Sequence, residues 1–261
     1  MDARASWDRL RRHLEGRQRT VVALSGGVGS GLLARAAWEV LGRDAVAATV
    51  AHEAFPERER RHARRVAREV GIRHVVVPWR HLLDPGYVEN RPDRCFRCRS
   101  GMVQALQDRF PHAAPRDFLV GATADPHQQP PGVQATRAAG WSHPHLELGL
   151  DGATVRAVSH LLGLSVADRP PMPCLSSRLA PGLPVTRPVL ERVDAAERWL
   201  LGLGLPLVRV RVGRSWTCIE APPECLEVVR DAWPRVQRRF HRLRLPPPNL
   251  GMYPVRQEVA A

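Results

Sequence analysis

The sequence contains no lysine, so all 39 of its basic lysine-or-arginine positions are arginine. A Walker phosphate loop ends in Gly-Lys-Ser or Gly-Lys-Thr, and the absence of lysine therefore excludes it. The formal charge of +13 still attracts anionic partners. Nucleotides and nucleic acid are both candidates. Because the arginines are dispersed and aromatic residues make up only 5% of the chain, nucleic acid is not the favoured partner.

Long apolar runs and a disulfide framework are also missing. No stretch approaches the roughly 20 apolar residues of a membrane span. The opening MDARASWDRLRRHLEGR is a charged amphipathic pattern without the apolar centre of a signal peptide. The five cysteines are an odd number, which argues against paired disulfides. We therefore expect a cytoplasmic protein with no membrane partner.

The first half of the sequence alternates short apolar runs with helical patterns. This alternation predicts parallel βαβ units and an α/β, doubly wound parallel sheet, whose ligands bind beyond the carboxyl ends of the strands. Strands are predicted at 20–24, 45–52, 73–79 and 117–123, with helices at 31–41 and 56–71.

A proline-rich segment changes the character of the chain. Six prolines fall between Asp168 and Pro188, and a helix, two strands and a helix follow. We predict a nucleotide-binding domain at 1–170, a proline-rich loop carrying Cys174 at 171–187, and a smaller C-terminal α+β domain at 188–261.

The stretch VVALSGGVGSGLL predicts a strand, a glycine turn and a helix. Gly26 and Gly27 allow a positive φ and a close approach to an anion, and the helix N-terminus favours negative charge. An ordinary glycine turn is the alternative. The string Ser25-Gly26-Gly27-Val28-Gly29-Ser30 resembles the SGGxDS signature of the PP-loop ATP pyrophosphatases. Gly29 replaces the family's Asp, and we expect Gly29→Asp to raise pyrophosphate release.

Further motifs narrow the resemblance. NRPDRCFRC (90–98), DRPPMPCLSSR (168–178), AREVGI and the V-R-V-R strand near 209–212 are similar to the LarE family of ATP-dependent sulfur transferases, which mature the nickel-pincer nucleotide cofactor. The resemblance covers most of the chain. It implies a PP-loop fold of the adenine nucleotide alpha hydrolase type, with ATP and magnesium as cofactors and a small carboxylated nucleotide-like substrate. ATP adenylylates the carboxylate, pyrophosphate leaves, and sulfur then displaces AMP.

The resemblance implies catalytic roles for Cys95, Cys98 and Cys174, and two branches remain open. In one, Cys174 is a sacrificial sulfur donor that becomes dehydroalanine. In the other, the three cysteines hold a [4Fe–4S] cluster that relays sulfide. The cluster is favoured because Cys95 and Cys98 otherwise have no task, and inert structural cysteines are a third reading. Nearby arginines would favour a thiolate at either place.

Other candidate residues surround these motifs. The nucleotide site is predicted to include Ser25, Gly26, Gly27, Ser30, Gly121 and Asp125. The substrate site is predicted to include Arg178, Arg209, Arg211 and Glu220. Arg209 and Arg211 are two apart on a strand and so share one face, which suits a phosphate; a solvated strand face is the alternative.

Departures from the family pattern lie at 122–126, Gln128–Gly132 and Leu243–Pro254. A tRNA-thiolating PP-loop enzyme and a nucleotide-binding protein without turnover are the competing functions. An assembly of identical chains remains open.

Overall fold

The computed structural model describes residues 2–125 and 131–253. The chain divides into two compact units, the first formed by Met1–His81 and Asp93–Met172 and the second by Leu82–Pro92 and Pro173–Ala261. The first unit ends at Met172, and the domain boundary at 170 stays a prediction. The short segment 82–92 differs from the prediction, because it belongs to the second unit rather than to the first.

The secondary-structure elements are numbered here along the whole chain. The strands are β1 (Thr20–Ala23), β2 (Ala45–Ala51), β3 (Arg73–Pro78), β4 (Phe118–Val120), β5 (Arg209–Val212), β6 (Thr217–Ala221) and β7 (Pro248–Met252). The helices are α1 (Ala3–Leu14), α2 (Val28–Leu41), α3 (Glu57–Val70), α4 (Pro85–Val88), α5 (Arg94–Arg109), α6 (Pro131–Ala138), α7 (Pro144–Glu147), α8 (Gly152–Leu161), α9 (Arg187–Leu201), α10 (Leu226–Asp231) and α11 (Trp233–Arg242).

The first unit contains a parallel four-stranded sheet in the order β3-β2-β1-β4. Successive side chains of a strand point to opposite faces, and both faces of this sheet are covered. On β1, Val22 packs into a cluster with α1, α2, α3 and α8, whereas Val21 packs into a second cluster with α5. The predicted parallel α/β fold with helices on both faces is therefore confirmed.

The carboxyl ends of these strands meet at one edge, as parallel pairing requires. The strand at the centre of the sheet, β1, pairs with β2 on one side and β4 on the other. Consequently the loop after β1 lies beside the segment after β4. This edge carries the predicted nucleotide site.

The second unit contains a mixed three-stranded sheet in the order β5-β6-β7. The β5–β6 pair is antiparallel and the β6–β7 pair is parallel. Burial alternates along β5, so Val210 and Val212 are buried while Arg209 and Arg211 share the more open face. The β5 and β6 strands match the prediction. The β7 strand was missed, because its proline-rich sequence lacks an apolar alternation.

Residues 82–92 join the second unit through hydrogen bonds. The Tyr87 and Ser176 hydroxyls are 2.5 Å apart. The Asn90 side-chain amide donates to the carbonyl oxygens of Ala180 (2.8 Å) and Leu183 (2.9 Å). These bonds tie the segment to the chain that follows Cys174. Among the described residues, no helix is both long enough and apolar enough to cross a bilayer.

Candidate functional site

The loop between β1 and α2 forms a cradle of backbone amides and serine hydroxyls. Gly27 is the N-cap of α2 and offers no side chain to cap the first amides of the helix. The Ser30 hydroxyl donates to the Gly27 carbonyl oxygen (3.1 Å) and lies 3.1 Å from the Ser25 hydroxyl. Amides at a helix N-terminus suit an anion such as a phosphate group. The geometry therefore fits the predicted phosphate loop.

Gly26 is fixed by two constraints. Its φ is +82°, and a Cβ there would lie 3.1 Å from both the Ala63 nitrogen and the His62 Cδ2 atom of α3. The Arg169 guanidinium donates to the Gly26 carbonyl oxygen (3.2 Å) and to the Glu59 carboxylate (2.6 Å). Arg169 therefore brings a cation to the loop. The sequence alone did not indicate this role, because Arg169 lies in the motif at 168–178 that also contains Cys174, far in sequence from Gly26.

The two glycines Gly29 and Gly121 are in direct backbone contact. A Cβ on Gly29 would overlap the carbonyl oxygen of Gly121, and a Cβ on Gly121 would lie 2.5 Å from the Ser30 nitrogen. Neither position has room for a side chain unless the backbone shifts. The geometry thus opposes the expectation that Gly29→Asp raises pyrophosphate release, because the carboxylate cannot enter without displacing β4 from α2.

His145 stabilises the position of Gly29 through a hydrogen bond to its carbonyl oxygen. It is fully buried, and its Nε2 atom donates to the Gly29 carbonyl oxygen at 2.9 Å. Burial lowers the pKa of His145 from an ordinary 6.5 to about 4, so the ring is neutral near pH 7. A neutral ring that donates from Nε2 carries no proton on Nδ1, which has no hydrogen-bond partner in the described structure.

Asp125 follows Gly121 at the same edge of the sheet. Its carboxylate accepts hydrogen bonds from the Thr123 hydroxyl and from the Gly152 amide, the latter at 3.2 Å. These two donors orient the carboxylate. Parts of the departures from the family pattern lie outside the described residues. These are Pro126, residues 128–130, and Pro254 at the end of the departure that begins at Leu243.

Cys95 and Cys98 lie at the start of α5, a helix that the sequence patterns did not predict. The helix start was hard to recognise in the sequence, because Pro92 precedes it and arginines surround the two cysteines. Three-residue spacing puts both thiols on one side of the helix; Cys95 is exposed and Cys98 is half-buried. Cys174 belongs to the other unit. Within the described residues of either unit, no three His, Cys, Asp or Glu side chains are grouped to hold a metal ion.

Cys174 precedes a 3₁₀ turn, Leu175–Arg178, in the second unit. Its carbonyl oxygen accepts hydrogen bonds from the Ser177 amide (3.0 Å) and hydroxyl (2.7 Å). The turn continues into a backbone bond from the Ala180 amide to the Val212 carbonyl oxygen, at 2.9 Å. The half-buried thiol is therefore held on a short segment that is anchored to β5. We call residues 173–178 the Cys174 segment.

Arg178 fixes this segment from inside the second unit. Its side chain is 1% exposed and pairs at 2.8 Å with Glu197, which is 0% exposed. It also donates to the Pro173 carbonyl oxygen (2.9 Å), while Glu197 accepts from the Val210 amide (3.1 Å). These bonds link the Cys174 segment, α9 and β5. The geometry supports a positioning role for Arg178, and its predicted contact with substrate stays a prediction.

Arg209, Arg211 and Glu220 lie together on one face of the small sheet. The Arg211 Nε atom is 2.5 Å from the Glu220 carboxylate, and Arg211 also donates to the Ser177 carbonyl oxygen at 3.3 Å. The Arg209 guanidinium lies over the Tyr253 ring, 4.4 Å from its centroid. Partial burial lowers the pKa of Arg209. Arg211 is therefore oriented by a carboxylate and touches the Cys174 segment.

Comparison with known proteins places the chain in a family. The profile of the asparagine synthase family matches residues 8–88. The chain is 36% identical over 221 residues to "Uncharacterized protein slr1717" of Synechocystis sp., which covers 84% of this chain and 82% of that protein. It is 33% identical over 207 residues to pyridinium-3,5-bisthiocarboxylic acid mononucleotide synthase of Lactiplantibacillus plantarum, with 78% of this chain and 75% of that enzyme covered. The chain belongs to the LarE family. It is a member of this PP-loop family with glycine at position 29.

The Gly29–Gly121 contact predicts that Gly29→Asp and Gly29→Ala both destabilise the first unit. Overpacking of this kind costs about 1–3 kcal/mol, and we expect weaker ATP binding as the loop shifts. Chemical denaturation and calorimetry measure both effects. Gly27→Ala is the control for stability, because a Cβ there meets only the Ser25 hydroxyl at 3.5 Å. Gly29→Asp with unchanged stability and faster pyrophosphate release would contradict the prediction.

The buried neutral His145 predicts an acid-sensitive fold. Its folded pKa lies below its unfolded value, so its contribution to stability is complete above pH 6.5 and is lost as the pH falls toward about 4. His145→Gln keeps a donor for the Gly29 carbonyl but removes the titration. We expect a shallower decline in the free energy of unfolding between those pH values, measured by denaturant titration. An unchanged slope would show that His145 does not titrate as a buried group.

The Arg178–Glu197 pair predicts a large cost when one partner is removed. Glu197→Ala leaves a buried guanidinium without its carboxylate, and we expect a loss of about 3–5 kcal/mol. Asp194→Ala, which breaks the partly exposed pair with Arg198 on the same helix, should cost about 1 kcal/mol or less. The double change Arg178→Met and Glu197→Leu should recover much of the stability. Equal losses for Glu197→Ala and Asp194→Ala would refute the role of the pair.

Proposed function

We propose that this protein is an ATP-dependent sulfur transferase that converts the carboxylate of a small nucleotide-like substrate into a thiocarboxylate. The observation that carries the proposal is the coverage of a named relative, a pyridinium-3,5-bisthiocarboxylic acid mononucleotide synthase, over 78% of this chain. The glycine loop at the start of α2 and the anchored Cys174 thiol support the proposal, because such a reaction needs a phosphate-binding loop and a sulfur nucleophile.

The first step is activation of the carboxylate. A carboxylate oxygen attacks the α-phosphorus of ATP, the bond to the β-phosphate breaks, and an acyl-adenylate and pyrophosphate form. The Ser25–Ser30 loop would bind the phosphates through its amides and hydroxyls, with Arg169 as an adjacent cation. Magnesium neutralises phosphate charge, and it is held through few carboxylates plus phosphate oxygens and water. With glycine at position 29, Asp125 is the carboxylate that we assign to it.

The second step is sulfur transfer from Cys174. Its thiolate attacks the acyl carbon and AMP leaves, which gives a thioester. Loss of the Cα proton of residue 174 then breaks the bond between Cβ and sulfur, so that a thiocarboxylate is released and dehydroalanine remains. Arg211 would bind a substrate phosphate, since Glu220 orients its guanidinium and charge-assisted bonds to phosphate are strong. Arg209 would complete the same face.

A sulfide relay through an iron–sulfur cluster is not part of this proposal. Neither unit gathers a metal-binding donor group among its described residues, and two of the three cysteines lie in the other unit from Cys174. We derive no step through such a cluster. Cys218 and Cys225 are also left out, because burial raises the pKa of both thiols and disfavours the reactive thiolate.

A single-turnover experiment tests the proposal. The purified chain is incubated with ATP, magnesium and the dicarboxylate mononucleotide that corresponds to the relative's product. We expect AMP, pyrophosphate and a thiolated product, and the mass of the protein should fall by about 34 Da as cysteine loses hydrogen sulfide. Cys174→Ala should still form AMP and pyrophosphate but no thiolated product. The double variant Cys95→Ala, Cys98→Ala is the matched control and should retain the single turnover.

The outcomes separate the alternatives. Absence of AMP with every carboxylate tested, while ATP still binds, would favour a nucleotide-binding protein that has lost turnover, a reading that the glycine at position 29 supports. AMP formation that depends on tRNA would favour a tRNA-thiolating enzyme. Loss of product in the Cys95, Cys98 variant would restore the three-cysteine hypothesis.

The arginine face gives a further prediction. Arg211→Ala should weaken binding of the mononucleotide by about 1.5–3 kcal/mol, the scale of a charged hydrogen bond, while ATP affinity stays the same. Arg214→Ala is the control, because Arg214 is exposed and, among the described residues, its guanidinium forms one hydrogen bond, to the Gly182 carbonyl oxygen at 3.4 Å. Calorimetry with each ligand gives the two affinities. Equal loss for both ligands would point to a folding defect.

A further inference from the structure

Helix α11 carries a stripe of arginines that the proposed function does not use. Arg235, Arg238, Arg239 and Arg242 follow the spacing i, i+3, i+4, i+7, which places them on one face of a helix. We call these four residues the arginine stripe. The opposite face packs inward through Val236 and Phe240, which are both 0% exposed. The helix contains no acidic residue.

The arginine stripe lines a concave site together with Trp199 of α9. The cavity has a volume of about 300 Å³. The Arg235 guanidinium lies 6.0 Å from the centroid of the Trp199 ring, the outer limit of a cation–π contact. The Nε atom of Arg239 is buried and has no hydrogen-bond partner in the described structure. A polar group left in this condition calls for a ligand or solvent partner.

The charges of the stripe are not neutralised by the protein. None of the four guanidinium groups forms an ion pair with a described carboxylate, whereas other arginines of the second unit do. Arg198 pairs with Asp194 at 3.0 Å, and Arg230 pairs with Glu227. Four cations around one cavity repel one another, and a bound anion would relieve this repulsion, most strongly at low ionic strength. The cavity therefore favours a ligand with several negative charges.

We propose that the arginine stripe and Trp199 form a binding site for an oligophosphate chain, separate from the nucleotide loop. Guanidinium groups bind phosphate oxygens through paired hydrogen bonds, and a chain of two or three phosphates supplies enough charge for four arginines. A single carboxylate carries only one negative charge and cannot balance four arginines. An extended nucleic-acid strand fits less well, because such strands are held along grooves with successive stacking aromatics. Here the site is a short, partly open cavity of about 300 Å³ with one aromatic side chain among its lining residues.

Calorimetric titration of the full chain with sodium tripolyphosphate at low ionic strength tests the proposal. Two double variants with equal charge change are compared, Arg238→Gln with Arg242→Gln in the stripe and Arg198→Gln with Arg230→Gln outside it. All four side chains are exposed, and thermal unfolding confirms that both variants fold. Binding at the nucleotide loop contributes equally to both titrations, so the difference between them reports on the stripe.

We expect the stripe variant to bind tripolyphosphate about 10- to 100-fold more weakly, while the other variant stays within about twofold of the original chain. AMP and pyrophosphate formation should be unchanged in both. Equal weakening in the two variants, or the same affinity in all three proteins, would overturn the proposal. These results do not depend on whether the chain transfers sulfur, so the two proposals can fail separately.

Two further titrations identify the source of the oligophosphate. Tighter binding of uridine triphosphate than of tripolyphosphate, with the gain lost in Trp199→Leu, would assign the site to a nucleotide. Equal affinities would assign it to free oligophosphate. If the binding of a single-stranded RNA depended on the arginine stripe and the binding of tripolyphosphate did not, the stripe would be a nucleic-acid surface and the proposal would be wrong.

Discussion

The contact between Gly29 and Gly121 is the constraint on which the nucleotide edge depends. It brings the first turn of α2 against the segment after β4, at a distance that neither a Cβ at 29 nor one at 121 permits. The bond from buried His145 to the Gly29 carbonyl holds the helix in that position. Because protein interiors transmit strain rather than absorb it, one added side chain here shifts the whole cradle. Position 29 is therefore a packing position in this chain.

The second unit is organised by a different interaction, the buried pair of Arg178 and Glu197. A buried ion pair adds little net stability, but removal of one member is costly. Its value here is geometric, since its hydrogen bonds join the Cys174 segment to α9 and to β5. The Arg211 contact with the Ser177 carbonyl supports the same segment from the sheet. A thiol that must attack one carbon atom benefits from a backbone held on several sides.

Sequence patterns predicted the features that depend on local rules. Alternation of apolar runs and helices predicted the parallel sheet, and the glycine turn predicted the cradle at Ser25–Ser30. Features that depend on tertiary contacts were missed. The sequence predicted Gly121 at the nucleotide site, but it did not indicate that the Gly121 carbonyl oxygen excludes a side chain at position 29. It also did not indicate that Arg169 reaches Gly26 across 143 positions of the chain. The helical setting of Cys95 and Cys98 was not predicted, because arginine dominates the local sequence and Pro92 stands just before the helix.

The departures from the family pattern are concentrated in the first unit, and this has a chemical consequence. Under the proposed function, glycine at position 29 would leave Asp125 as the assigned carboxylate for magnesium, and Arg169 would share the charge of the leaving pyrophosphate. Arginine is always charged and donates in a fixed fork, which suits it to phosphate oxygens. Arg169 is already ordered by Glu59, so little side-chain entropy is lost when it meets an anion. The proposed function therefore places an ordered cation, Arg169, beside the phosphate loop at the edge of the sheet where position 29 has no room for a carboxylate.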